Sequence, residues 1–112
     1  MPKNMNDVKL SDFLGGWLVG SFSPSLFSRD DIEVGVKTLT LGFVDEAHYH
    51  KESNEYNVLL RGSLLQNGVV IKEGSIFIFR PGEISKVSAI TDSLILVIRD
   101  GSGVGDKYLV EK

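Results

Sequence analysis

His48 and His50 are the only histidines of the chain, and Glu55 follows five residues after the second of them. In an extended segment, residues two apart leave the same face, so the two imidazoles stand side by side. After a turn, Glu55 can return toward them from the next strand. Two imidazoles and one carboxylate on a common surface form a metal-ligand set that leaves coordination positions open for water or substrate. The chemistry on offer is that of a Lewis acid acting on a bound oxygen. Zinc, iron, manganese and nickel all suit such donors. Imidazole coordinates only when unprotonated, so affinity is expected to fall below about pH 6.

The elements around this stretch read as strands. Residues 33–41 alternate imperfectly and are rich in β-branched side chains, with Val34 and Val36 on one face and Lys37, Leu39 and Leu41 on the other. Residues 55–65 form the next strand. If Glu55 points inward, so do Asn57 and Leu59, while Tyr56, Val58 and Leu60 point out. Asn67-Gly68 predicts a type I′ hairpin. Residues 76–79 (Ile-Phe-Ile-Phe) are apolar on both faces. Breaks fall at Lys72-Glu73-Gly74, Arg80-Pro81-Gly82-Glu83 and Thr91-Asp92, and residues 94–99 form the last long strand. No 3.6-residue apolar period is sustained. The expectation is an all-β barrel or sandwich with less than about a tenth of its residues in α-helix.

The run from Gly42 through His48, His50 and Glu55 to Gly62 resembles the first signature of the cupins at every fixed position. The resemblance implies a small antiparallel jelly-roll β-barrel with His48, His50 and Glu55 as metal ligands inside it. A second cupin signature is degraded. Gly74 and Gly82 are in place, Pro81 comes one residue late, Ser85 stands at the histidine position and Ala89 at the asparagine position. A serine hydroxyl is a poor substitute for imidazole, so the fourth ligand is water or the nearby carboxylate of Glu83, on the same face as Ser85 in an extended chain. Asn57, Arg80, Glu83 and Ser85 are the residues expected to contact substrate, with Tyr49 pointing away from the metal. The resemblance covers residues 34–99. It implies a small metal-binding cupin, similar to sugar isomerase-like members, acting on a carbohydrate or other polar metabolite. The alternative is a non-enzymatic binding or structural module with a degenerate metal site, which needs a shaped pocket but no proton-transfer group.

A chain of 112 residues suits a single domain, with an arm at 1–12 and a tail at 100–112. Its net charge of −3 and scattered basic residues disfavour a nucleic-acid partner. The absence of cysteine excludes disulfides, thiolate zinc sites and a cysteine nucleophile. The apolar run at 13–22 is too short and too glycine-rich to span a bilayer, and Asp7 and Asp12 spoil a signal peptide, so a cytoplasmic location is expected. Alternate glycines at 101, 103 and 105 read as a turn rather than a phosphate loop, since no helix can follow. Trp17 is either an anchor in the core or subunit contact, or a residue at a pocket mouth. The runs at 13–22 and 76–79 hold more apolar surface than a small barrel hides, which predicts a homodimer.

Overall fold

The computed structural model describes residues 7–101 and 106–110. Its strands are β1 (Trp17–Gly20), β2 (Phe27–Ser28), β3 (Ile32–Leu39), β4 (His48–Tyr49), β5 (Glu55–Arg61), β6 (Ser63–Gln66), β7 (Val69–Lys72), β8 (Ile76–Phe79), β9 (Val87–Ala89), β10 (Ser93–Asp100) and β11 (Tyr108–Leu109). A six-stranded sheet runs β2-β1-β3-β10-β5-β8. Facing it are a three-stranded sheet, β7-β6-β9, and the pair β11-β4. Isolated bridges, Val44 to Ser88 and His48 to Ser85, link these two smaller units. All pairings are antiparallel except the short β1–β2 contact. The result is the expected all-β jelly roll, and no helix among the described residues is long and apolar enough to cross a membrane.

The period of two decides what faces inward. On β5, Asn57 and Leu59 are buried, whereas Leu60 is exposed. On β10, Ser93, Ile95 and Val97 are buried and their neighbours less so. The register places Asn57 between Phe77 of β8 and Val97 of β10. The core joins Leu59, Phe77, Phe79, Ile95 and Val97 of the large sheet to Leu64, Val87 and Ala89 of the small one. Asn67 and Gly68 take positive φ values of 48° and 85° and close the β6–β7 hairpin as expected. Gly62 lies where the chain leaves the large sheet for the small one. At its φ of 96°, a Cβ would come within 2.3 Å of Ser93 Oγ and 2.5 Å of Asp92 O, so only glycine fits there.

Within the apolar run at 13–22, the strand begins only at Trp17. Before it the chain makes 3-10 turns at Leu10–Asp12 and Leu14–Gly16, the second kinked where Gly15 and Gly16 take positive φ, a conformation open to glycine. Phe13 and Val19 of this segment are buried within the chain, whereas Leu14 is exposed. On β8, Phe77 and Phe79 point into the core and Ile76 is two-thirds exposed within the chain on the edge strand.

Leu59 has no solvent exposure at the centre of the core. Leu59→Ala is expected to lower unfolding free energy by about 2–5 kcal/mol, whereas Ile76→Ala is expected to stay within about 0.5 kcal/mol. Urea denaturation of the two variants checks the contrast.

Candidate metal centre

The ligating atoms of His48, His50 and Glu55 lie within 4.8 Å of one another. β4 presents His48, the following turn presents His50, and Glu55 opens β5. Both histidines are buried, with their rings edge to face at 5.4 Å. His48 Nδ1 donates to the carbonyl of Glu46 at 2.9 Å, and His50 Nδ1 donates to the carbonyl of Asp106. A carbonyl oxygen can only accept, so each Nδ1 carries the proton and each neutral ring offers an Nε2 lone pair. His50 Nε2 faces Glu55 Oε2 at 3.4 Å, and both atoms are buried without a hydrogen-bond partner. Two acceptors held face to face in a low-dielectric interior require a cation between them, either a metal ion or a proton on Nε2. The donor set therefore fits a divalent ion. Burial acts to raise the Glu55 carboxyl, but the His50 ring beside it and the positive charge of Arg99 hold it below its ordinary range.

His48 and Glu55 line a cavity of about 270 Å³. One wall is apolar, with Leu39, Phe77, Phe79, Val87, Ile95 and Val97. The polar side has His48, Glu55, Asp45 and Ser85, and the cations Lys37, Arg99 and Lys107 also line the space. Two of the residues expected to contact substrate are in the wall, Asn57 and Ser85. Asn57 donates to the Phe77 carbonyl, and Ser85 exchanges backbone hydrogen bonds of 2.7 and 3.0 Å with His48.

Arg80 and Glu83 are not in the cavity wall. Glu83 accepts the Arg80 backbone N–H at 2.8 Å, and the two exposed side chains approach to 3.7 Å. The extended geometry assumed for Glu83 fails because Pro81 and Gly82 form a tight turn, Gly82 with φ of 86°, and the carboxylate folds back over that turn. Glu83 is thus not a replacement ligand in this geometry. The cavity cations went unnoticed in the sequence. Their signal is a charge closing an otherwise apolar face, Lys37 beside Leu39 on β3 and Arg99 after Ile95 and Val97 on β10. Trp17 packs against the core with the amine of Lys37 4.5 Å and the guanidinium of Arg99 5.2 Å from its ring. Tyr49 points away from the centre, as expected, and stacks on Tyr108 at 5.5 Å.

The tail contributes more than a turn. Residues 102–105 of the expected glycine turn lie outside the described residues, but Asp106 is buried against the metal loop. Its carboxylate accepts the backbone N–H groups of Lys51, Glu52 and Ser53 at 2.8, 3.1 and 3.0 Å, while its carbonyl orients His50. β11 then pairs with β4, so the tail clamps the His48–Ser53 stretch from two directions. Burial works against the Asp106 carboxylate, but the three backbone N–H groups outweigh it and hold that carboxyl below its ordinary range.

No protein-family model matches the chain, and no curated protein matches it by sequence. Solved structures do. A double-stranded β-helix protein from Klebsiella pneumoniae superposes with a TM-score of 0.66 at 22% identity, over 75% of this chain and 74% of that one. KdgF from Halomonas sp. gives 0.60 at 17% identity over 64% and 70%. The DMSP lyase DddQ from Ruegeria pomeroyi gives 0.69 at 18% identity, covering 84% of this chain but 49% of the lyase. A cupin superfamily protein from Desulfitobacterium hafniense matches at 0.60 with 9% identity, over 65% and 70%. The fold is therefore the cupin double-stranded β-helix.

Asp106→Ala is expected to cost about 1–3 kcal/mol of stability, because it strips three loop N–H groups of their charged acceptor. Metal affinity should fall about tenfold or more, because the three carboxylate bonds hold in place the stretch of tail whose backbone carbonyl orients His50. A carboxyl lowered on folding stabilises above its unfolded value of about 3.9 and loses that effect as pH falls through the folded value. The stability gap between wild type and variant should thus be full at neutral pH and shrink below about pH 4, as read by denaturation at several pH values.

Proposed function

We propose that this protein is a small metal-dependent cupin that binds one divalent transition metal through His48, His50 and Glu55 and acts on a carbohydrate or other polar metabolite in its barrel. The observation that carries this reading is the buried pair of partnerless acceptors, His50 Nε2 and Glu55 Oε2, 3.4 Å apart with both Nδ1 atoms already committed to carbonyls. A bound ion would supply Lewis-acid polarisation of a ligand oxygen. Around it, Asn57 and Ser85 offer polar contacts to the ligand, and the apolar wall of Phe77, Val87 and Ile95 excludes water. Asp45 lines the same cavity, where its carboxylate can accept a proton from a bound ligand or return one to it. The sugar phosphate isomerase from Silicibacter pomeroyi, with a TM-score of 0.53 and 19% identity over 62% of this chain and 50% of its own, supports a carbohydrate among the substrate classes.

A second reading rests on Ser85, which lies hydrogen-bonded beside His48 where the cupin pattern has a further imidazole. With only three strong donors, the barrel would serve as a binding or structural module. The chain is further proposed to form a homodimer, supported by exposed apolar side chains at Leu14, Phe27 and Ile76. Light scattering at micromolar concentration should give twice the chain mass.

Calorimetric titration with zinc and manganese is expected to show one site at neutral pH, with affinity falling below about pH 6 as the imidazoles protonate. His50→Ala and Glu55→Gln should abolish uptake, and Ser85→His should tighten it. If wild type takes up no metal and Ser85→His does, the binding-module reading replaces the metal-dependent one.

A further inference from the structure

We infer that Lys37 and Arg99, mounted together on the Trp17 indole, form an oxyanion subsite in the cavity, so that the barrel's ligand is a small anionic metabolite. The arrangement begins with a glycine. Trp17 is paired with Gly35 across β1 and β3, and a Cβ on Gly35 would meet the indole at 2.7 Å. The missing side chain lets the ring lie on the sheet, where it draws the Lys37 amine to 4.5 Å and the Arg99 guanidinium to 5.2 Å. Two cations on one ring repel each other, and burial together with the Arg99 charge pushes the Lys37 ammonium below its ordinary range.

The protein answers this repulsion incompletely. Arg99 uses Nη1 to bind Glu33 at 3.0 Å, but its Nε is buried without a partner. Among the described residues, no carboxylate comes within 4.0 Å of the Lys37 amine. Lys107 adds a third positive charge to a cavity that Asp45 and Glu55 also line. A divalent ion on Glu55 would leave the cations in excess. An oxyanion placed between Lys37 and Arg99 would accept charge-assisted hydrogen bonds from groups already partly desolvated, where such bonds are strongest. The cavity of about 270 Å³ holds the volume of roughly nine waters. That admits a small acid or a phosphorylated fragment, not a polymer.

The inference rests on the reading of the barrel as a small-ligand site but not on the metal. Its test is calorimetry and NMR titration with malonate, inorganic phosphate and the neutral isostere malonamide. The titrations use EDTA-treated protein and protein with zinc added. Wild type is expected to bind malonate or phosphate about tenfold or more tightly than malonamide, with the stronger of the two anions identifying the oxyanion type. Lys37→Met and Arg99→Met should remove that preference, and Lys37→Arg and Arg99→Lys should keep part of it. Equal binding of malonate and malonamide, or no binding of either anion, overturns the proposal with wild type alone, even if a variant fails to fold. Zinc uptake without anion preference would leave the metal reading standing and sink this one. Anion preference in protein that takes up no zinc would do the reverse.

Discussion

Two hydrogen bonds from imidazole Nδ1 atoms to backbone carbonyls govern the rest of this structure. By committing one nitrogen of each ring, they decide where the other points; His50 Nε2 faces Glu55, and one ligating atom from each of the three residues falls within 4.8 Å of the others. One acceptor lies two residues from its histidine in the chain and the other 56 residues away. Glu46 belongs to the loop that leads into β4, whereas Asp106 belongs to the tail. A local carbonyl can be supplied by any turn of suitable shape, but a distant one demands that the barrel be closed first. The centre is therefore assembled by tertiary structure, and its lone pairs are aimed only in the folded chain.

That dependence explains why the tail is bound so tightly to a loop. The Lys51–Ser53 turn between His50 and Glu55 has no strand to pair with, so its N–H groups need an acceptor from elsewhere. A single buried carboxylate supplies three bonds at once. Tyr108 adds a stack on Tyr49 and receives the Lys51 amine on its ring at 4.2 Å, which ties the same segment on its outer side. Backbone satisfaction and ligand orientation are thus served by one residue, Asp106, acting through its side chain and its carbonyl together.

How far the sequence revealed this follows from the range of each interaction. His48, His50, Glu55 and Asn57 were legible because a period of two acts within one strand and needs no knowledge of the partner. Asn67-Gly68 was legible as turn chemistry, whereas the strand expected through 55–65 breaks at Gly62 into β5 and β6. Arg80 and Glu83 misled because a turn breaks the period just before Ser85, and two residues of spacing then no longer mean a common face. Asp106 was hidden behind glycines at 101, 103 and 105, which carry no pattern. Lys37, Arg99 and Trp17 come from three different strands. Their meeting depends on the register β1–β3–β10, which no local signal encodes.

The same register bears on what the barrel can accept. Along β10, inward positions pass from Ser93 through Ile95 and Val97 to Arg99, so apolar side chains give way to charge at the end where Glu55 pairs with Arg99. Along β3, Lys37 lies deeper, opposite Ile95, and its stem crosses the apolar layer to bring the amine over Trp17. A lysine on an apolar inward face incurs a desolvation cost that a leucine there would avoid. The indole and the cavity reduce that cost without removing it, since no carboxylate closes on the amine among the described residues. Incompletely compensated charge inside a formed cavity, beside two acceptors that also lack a partner, marks the polar end of the barrel as built around groups that arrive from solution.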